Sequence, residues 1–318
     1  MKVLYVTNMY PVADYIYFGI HVKEQIESIA SYGDVKVEIY FINGRAKKWN
    51  YFKSIADIRA KLKKGKFDIV HVHYGISALF LLFYKPEIPV VITLHSGELY
   101  QKKGLLNHFA QKSITMSILK GTKKIIVLND DMLRLLNKHQ QKLVKLPCGT
   151  DLQFFKEDNA SPVMKELIVG FPGNKARKEK NFQLFTEVIN ELGKTFNIRV
   201  VEFHDLTREQ VRQNLQSLDV LMMTSLVEGS PQIIKEAMAC NKPIVSTNVG
   251  DIADLLRDVK NCYVVNSFRS AAMIKPLKEI LSQPIEHRKS NGRQKLIQMG
   301  LGIDQVAKSV LKVYNEVI

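Results

Sequence analysis

Short runs of β-branched and aliphatic residues alternate, from the first residue onward, with stretches whose apolar residues recur at helical spacing. KVLYVTN, VKVEIYFI, FDIVHVHY, PVVITLHS and KKIIVLN read as strands, with helices over HVKEQIESIAS and around SIADIRAKL. Alternation of this kind predicts βαβ units and a parallel, doubly wound sheet. The runs are almost wholly apolar, as strands covered on both faces should be. From about 149 to 165 the pattern lapses into GTDLQFFKEDNASPVMK, whose Gly, Asp, Asn, Ser and Pro mark a connection between domains. It then restarts. ELIVGFPG, IRVVEFH, DVLMMTS, KPIVSTNVG and NCYVV read as strands, and NFQLFTEVINELGK, REQVRQNLQSL and a segment opening at SPQIIKEAM as helices. GIDQVAKSVLKVYNEVI closes the chain as an amphipathic helix. The fold class is therefore α/β, two doubly wound domains in succession, over 1–155 and 156–302, followed by helix 303–318.

A length of 318 residues with 46% hydrophobic content suits two such domains. The three cysteines, Cys148, Cys240 and Cys262, are scattered and include no C-x-x-C pair. Neither a disulfide framework nor a zinc knuckle is indicated, and a reducing, cytoplasmic setting is expected. The opening MKVLYVTNMYP lacks the features of a signal peptide. ISALFLLFY (76–84) is far shorter than the roughly 20 apolar residues that span a bilayer as a helix, so no membrane crossing is expected. The formal charge of +15 changes the picture more, because much of it gathers in RAKKWNYFKSIADIRAKLKKGK, residues 45–66. There Trp49, Tyr51 and Phe52 are interleaved with nine basic residues and one acid. Such a stretch fits a solvated face, an anionic lipid surface or nucleic acid.

Ligands of open α/β sheets gather beyond the carboxyl ends of the strands, which directs attention to the strand-to-helix loops. In the first domain Gly19 ends the first such loop, where a glycine lets backbone approach a ligand closely. His71 and His73 share one face of their strand, with His73 nearer its end, and His95 precedes a Ser-Gly-Glu98 turn. A strand-end histidine is commonly a hydrogen-bonded structural group, and His71 fits that reading. His95 fits ligand contact, and none of the three has the helical spacing of a metal site. In the second domain GFPGNKARKEKNFQLF sets Arg177 and Lys180 ahead of a helix, a natural diphosphate grip. Neither a Walker A sequence nor G-x-G-x-x-G occurs. EGSPQIIKEAM (228–238) then places Glu228 before a Ser230-Pro231 helix start, read as N-cap and first helical residue, with Glu236 inside the helix. Gln232 and Glu236 share the face opposite Ile233, Ile234, Ala237 and Met238. A nucleoside diphosphate bearing a polyol suits this arrangement. The helix start takes phosphate, and the two carboxylates take ribose and sugar hydroxyls.

On these residues the chain resembles the retaining family 4 (GT4) glycosyltransferases of the GT-B fold, above all bacterial envelope and capsular polysaccharide enzymes. The most specific part is EGSPQIIKEAMACNKPIVSTNVG (228–250), similar to the family's E-x7-E helix, following strand and glycine-containing loop. Gly19, VHVHYG, TLHSGE, PCGTD (147–151) and GNKARKEKN support it. The resemblance implies two Rossmann-like domains facing a cleft, the first on the acceptor side and the second holding the nucleotide sugar, with helix 303–318 packing back toward the first. It implies ribose contact for Glu236 and donor-sugar contact at the reacting carbon for Glu228. Gly229, Ser230, Pro231, Gln232 and Ile233 would line the donor, Arg177 and Lys180 would neutralise its diphosphate, and Gly19 would close over it. His95 would sit beside the transferred sugar, with His73 and Glu98 on the acceptor side. Departures are Asn174 after Gly173, Gly250-Asp251 where Gly-Gly is usual, and a short stretch between Glu202 and Asp219 that leaves contacts to the base unassigned.

The expected activity is transfer of a hexose from a UDP- or GDP-sugar to a hydroxyl of a lipid-linked saccharide in cell-envelope polysaccharide synthesis, with retention. The lack of a D-x-D sequence agrees with an enzyme that needs no catalytic metal, and no cofactor is expected. The expected location is the cytoplasm, peripheral on the inner face of the cell membrane. There residues 45–66 would meet an anionic surface and no nucleic acid would be bound. Two rivals share these features: a nucleotide-sugar 2-epimerase of the same fold, and a non-catalytic partner subunit.

Overall fold

The computed structural model describes residues 1–100, 105–157 and 166–318. They divide into two compact units, residues 1–149 with 303–318, and residues 150–302. The expected connection over 149–165 lies, from 158 to 165, outside the described residues.

The strands of unit 1 are β1 (Lys2–Thr7), β2 (Lys36–Phe41), β3 (Ile69–His73), β4 (Val90–Thr93), β5 (Lys124–Val127) and β6 (Leu143–Lys145). All pair in parallel, in the order β2-β1-β3-β4-β5-β6. β3 and β4 are buried along their whole length, which is why their sequences run apolar without alternation. Helices α1 (Ile20–Ala30), α2 (Asn50–Lys64), α3 (Gly97–Tyr100), α4 (Leu105–Ile118) and α5 (Asp130–Leu135) fill the crossovers, and the apolar run after β3 forms a 3-10 helix, Gly75–Leu82. α1 buries Val22, Ile26 and Ile29 at helical spacing against the sheet. α2 buries only Ser54 and Ile58 completely and leaves Trp49 and Phe52 at its start exposed, at 71% and 55%.

Unit 2 holds β7 (Leu167–Phe171), β8 (Ile198–Glu202), β9 (Val220–Met223), β10 (Ile244–Thr247) and β11 (Cys262–Val265), parallel in the order β11-β10-β9-β7-β8. Its helices are α6 (Phe182–Leu192), α7 (Arg208–Ser217), α8 (Gln232–Ala239), α9 (Ile252–Leu256), α10 (Ser270–Leu281) and α11 (Gly292–Gln298). Val169, Phe171, Val220, Met222 and Val245 of the sheet pack with Phe185 and Val188 of α6 and Leu277 and Ile280 of α10. The closing helix, α12 (Ile303–Asn315), belongs to unit 1, where it packs on α1 and buries Val306, Val310, Val313 and Tyr314.

Seven of the described elements have no counterpart among the predicted segments: α3, α4, α5, β6, α9, α10 and α11. β6 has three residues, too few to show a period. α10 carries Pro276 in its body and has no side-chain cap, so neither helix signal announces it. In each sheet the chain starts in the interior and works outward in both directions, so the strand order reverses between β1 and β3 and between β7 and β9. Those are the switch points at which doubly wound sheets open a crevice.

Candidate functional site

In unit 2 the loops that leave β7 and β9 lie side by side at the switch point and are tied together. Thr224 Oγ1 donates to the carbonyls of Lys180 and Asn181, 3.0 Å each, and the Leu226 N–H donates to the Glu179 carbonyl at 2.8 Å. This brings Lys180 to Glu228, Nζ to Oε1 at 2.7 Å, and Ser225 Oγ donates to the same oxygen at 2.8 Å. Gly173, at φ 123°, makes room for the lysine stem, since a Cβ there would stand 2.8 Å from Lys180 Cε. Arg177 goes elsewhere. It is 48% exposed and binds Glu179 through Nε and Nη2, at 3.1 and 2.7 Å. Lys180 and Glu228 are thus joined in one constellation, and Arg177 is not part of it.

α8 begins one residue later than expected, at Gln232. Pro231 occupies the N-cap position with extended backbone (φ −68°, ψ 119°), and no side chain caps the helix. Ser230 is therefore not the N-cap. Its hydroxyl is turned toward Asp251, and that contact replaces the one a cap would make. Gly229 is set by Gly250, whose positive φ of 63° brings it so close that a Cβ would lie 2.3 Å from the Gly229 carbonyl oxygen. The Asp251 N–H donates to that carbonyl at 3.2 Å. Ile233 is half-buried, and Gln232 Nε2 donates to Thr150 Oγ1 at 3.3 Å.

Glu236 lies on α8 at 3% exposure and accepts a 2.8 Å hydrogen bond from Arg208 Nη2. The Arg208 guanidinium also sits 4.7 Å over the Phe155 ring. Arg208 was not among the residues picked out in the sequence. Its only local signal is its place as the first residue of α7, directly behind the Thr207/Gln210 capping box. Asp251 is 7% exposed, and burial pushes its carboxyl up to about 6, against the pull of the buried Lys235 and of the Ser230 hydroxyl.

Unit 1 gathers the predicted histidines into a stack behind the ends of β3 and β4. His71 and His73 stack at 4.5 Å between ring centroids, His73 and His95 at 5.3 Å, and Tyr74 covers His95 at 4.2 Å. His71 is held at both nitrogens, Nδ1 to Tyr314 Oη at 2.5 Å and Nε2 to Thr93 Oγ1 at 2.8 Å. Tyr314 in turn meets Tyr5 at 2.6 Å. Burial pushes the His71 imidazolium down to about 3. His73 is driven well below the usual range by burial first, then by its neighbours His71, His95 and His21. Both rings are neutral at pH 7. His73 Nδ1 meets His95 Nε2 at 3.0 Å, while His73 Nε2 lies buried without a hydrogen-bond partner among the described residues. An orphaned buried N–H is rarer than an orphaned acceptor. The proton therefore belongs on His73 Nδ1, donated to His95 Nε2.

Glu98 is buried beneath the same turn. Its Oε1 accepts from the His95 N–H at 3.0 Å, and burial raises its carboxyl against backbone N–H groups that favour the charge. His73 and Glu98 thus support His95 from within, and His95 alone of the three is half-buried. Gly19, at φ 71°, opens α1. A Cβ there would stand 2.4 Å from the carbonyl carbon and oxygen of Met9, so the glycine is required by its own loop.

In α2, Lys53 pairs with Asp57, Arg59 lies over Tyr84 and Lys61 pairs with Glu38. Just before it, Arg45 stacks on Tyr15 and Phe18. Among the described residues no group of three or more His, Cys, Asp or Glu is arranged to hold a metal ion, and no helix is long and apolar enough to cross a membrane.

Two family models match the chain one after the other. Residues 20–154 match Glycosyltransferase Family 4, and residues 152–296 match Glycosyl transferases group 1. A UDP-Gal:alpha-D-GlcNAc-diphosphoundecaprenol alpha-1,3-galactosyltransferase of Escherichia coli is 24% identical over 258 residues, covering 68% of this chain and 65% of that protein. A Bacillus subtilis protein named as a teichuronic acid biosynthesis glycosyltransferase is 23% identical over 223 residues, covering 59% and 55%. The chain thus spans less than two thirds of the length of these curated relatives. Among solved structures, a sucrose-phosphate synthase from Thermosynechococcus elongatus matches with a TM-score of 0.79 at 15% identity, over 99% of this chain and 98% of that one. An Anabaena protein in complex with UDP and glucose matches with a TM-score of 0.73 at 12% identity, over 99% and 100%. At these identities the structural likeness speaks to the fold.

Proposed function

From the premise that this chain belongs to the family 4 glycosyltransferases of the GT-B fold, we propose that it transfers a hexose from a UDP- or GDP-sugar, with retention of configuration, to a hydroxyl of a lipid-linked saccharide in envelope polysaccharide synthesis. The observation that carries this reading is the E-x7-E segment of unit 2. Its two carboxylates stand on either side of the start of α8, Glu228 held by Lys180 and Glu236 by Arg208. Glu236 binds ribose hydroxyls and Glu228 the transferred sugar. Lys180, with the first-turn amides of α8, stabilises the negative charge that grows on the diphosphate as the glycosidic bond breaks. Arg177 joins only if its guanidinium leaves Glu179. Unit 1 takes the acceptor, with His95 beside the transferred sugar. No metal or cofactor takes part. The exposed Trp49 and Phe52, with the basic residues around α2, bind anionic lipid on the cytoplasmic face.

The relatives' names support this reading, because one carries a UDP-sugar donor and an undecaprenol-linked acceptor and the other an envelope polymer. The test is incubation with UDP-glucose, UDP-galactose, UDP-N-acetylglucosamine and GDP-mannose, with and without lipid-linked saccharide. Nucleotide release and the anomeric configuration of the product are followed. Release that requires acceptor is expected, and Glu228→Ala and Glu236→Ala should abolish it. A new nucleotide sugar formed without acceptor would mean epimerisation instead. Failure to bind any of the four donors would sink the proposal. Sedimentation with vesicles containing phosphatidylglycerol, but not with phosphatidylcholine alone, is expected for the wild type and lost in Trp49→Ser/Phe52→Ser.

A further inference from the structure

The cation and the carboxylate that the proposed function gives to the diphosphate and to the sugar are bonded to each other. Lys180 Nζ donates to Glu228 Oε1 at 2.7 Å, and the buried Ser225 hydroxyl donates to that same oxygen at 2.8 Å. The frame around them is fixed. Thr247 Oγ1 donates to the Ser225 carbonyl at 2.7 Å, Thr224 Oγ1 donates to the carbonyls of Lys180 and Asn181, and Gly173 leaves room for the Lys180 stem. What can change partners is the ammonium end and the carboxylate end. Nor is the pair sealed from solvent. The Lys180 side chain is 11% exposed and that of Glu228 17%, and their loop neighbours Lys178 and Leu226 are fully on the surface. A ligand arriving here meets a neutralised pair rather than a free cation.

We propose that Glu228 competes with the diphosphate for Lys180, so that the site prefers a nucleotide sugar to the nucleoside diphosphate it becomes; this rests on the donor site proposed above. An ammonium only donates and a carboxylate only accepts. While the sugar is present its hydroxyls donate to Glu228, which leaves Lys180 to the diphosphate. After transfer those hydroxyls are gone. Glu228 then draws its donors from Lys180 and Ser225 alone, and the nucleoside diphosphate, with an additional ionisable oxygen, meets a carboxylate that no hydroxyl screens. Two effects act in one direction: the cation returns to Glu228, and the like charges repel. The pair thus loosens the product and not the substrate. Beyond its contact with the sugar, Glu228 is the residue that clears the site for the next donor.

The experiment is calorimetric titration of wild type, Glu228→Gln, Lys180→Met and Lys180→Met/Glu228→Gln, all checked by circular dichroism. The ligands are whichever of UDP-glucose, UDP-galactose, UDP-N-acetylglucosamine and GDP-mannose binds the wild type best, and the corresponding UDP or GDP alone. Glu228→Gln keeps the shape of the side chain and removes the charge that holds Lys180. A hydrogen bond to a charged group is worth about tenfold or more, so affinity for UDP or GDP should rise about tenfold. Affinity for the nucleotide sugar should not rise, because that ligand already has Lys180 and now loses a charged acceptor. In the Lys180→Met background the same substitution frees no cation, and its gain for UDP or GDP should shrink to about threefold or less. If Glu228→Gln leaves UDP or GDP affinity unchanged, lowers it, or raises it no more than that of the nucleotide sugar, the competition is overturned and the donor site stands. An equal gain in both backgrounds also overturns it, since repulsion by Glu228 alone then accounts for the preference. If Glu228→Gln does not fold, Glu228→Ala carries the same comparison. A wild type that binds none of the donors and neither nucleotide overturns both readings.

Discussion

Arg208→Met is the most informative single change, because it separates what holds Glu236 from what Glu236 does. The variant keeps an unbranched stem over Phe155 and removes the guanidinium that lies 2.8 Å from a carboxylate at 3% exposure. Taking one partner from a buried pair leaves an uncompensated charge and costs about 3–5 kcal/mol. Arg208 itself is about a quarter exposed, so solvent reaches one side of the pair and the lower end applies, about 3 kcal/mol. For a unit of this size each kcal/mol moves the midpoint by about 2–4 °C. The expected fall is therefore about 6–12 °C in the unit 2 transition, read by scanning calorimetry at pH 7. The double variant Arg208→Met/Glu236→Gln no longer buries a bare charge and should recover most of that loss. It should keep a deficit of about 0.5–1 kcal/mol from the missing cation–π contact with Phe155. A single variant within about 2 °C of wild type, or a double variant no better than the single, would refute the claim that Arg208 holds Glu236 in place.

Gly250→Ala forces a side chain into the left-handed region and sets a Cβ 2.3 Å from the Gly229 carbonyl oxygen, so the loop carrying Glu228 must move. Strain of about 1–2 kcal/mol and a nucleotide-sugar affinity lowered at least about tenfold are expected in calorimetric titration; unchanged affinity would show that the loop's position does not matter. The Asp251 carboxyl titrates near 6 in the folded unit against 3.8 in the unfolded chain. Between those values the folded state binds the extra proton, so this residue's contribution favours folding at pH 4 and is lost as pH rises through about 6. About 3 kcal/mol is at stake, and Asp251→Asn should remove that slope from the unit 2 melting profile between pH 4 and 7. His71 has the opposite sign. Its folded value of about 3 lies below the ordinary 6.5, so its contribution is whole above pH 6.5 and is lost as pH falls toward 3. His71→Gln should flatten the acid limb of unit 1 unfolding, and an unchanged limb would contradict the buried, neutral imidazole.

What could be read from the sequence and what could not divide along the range of the interactions. Strand-helix alternation is local, so β1 to β5 and the helices α1, α2, α6, α7, α8 and α12 are each legible in one short continuous segment. The start of α8 failed by one position because Ser-Pro is a local cap signal, and a distant residue, Asp251, competes for the serine. The same competition hides Arg208. Nothing within α7 says that its first arginine will meet a glutamate 28 positions on; that follows only once β7 and β9 are neighbours at the switch point. Likewise His71 was rightly read as a structural group, yet its partner Tyr314 lies 243 residues away on α12. A strand-end histidine can be judged from its own strand, but its tautomer cannot. His73 Nε2 has no hydrogen-bond partner among the described residues, where the rings of His71 and Tyr5 lie against it, so its proton belongs on Nδ1, toward His95. The packing of unit 1 around β3 thus fixes which nitrogen of His73 meets His95, a contact across 22 positions that neither strand announces alone.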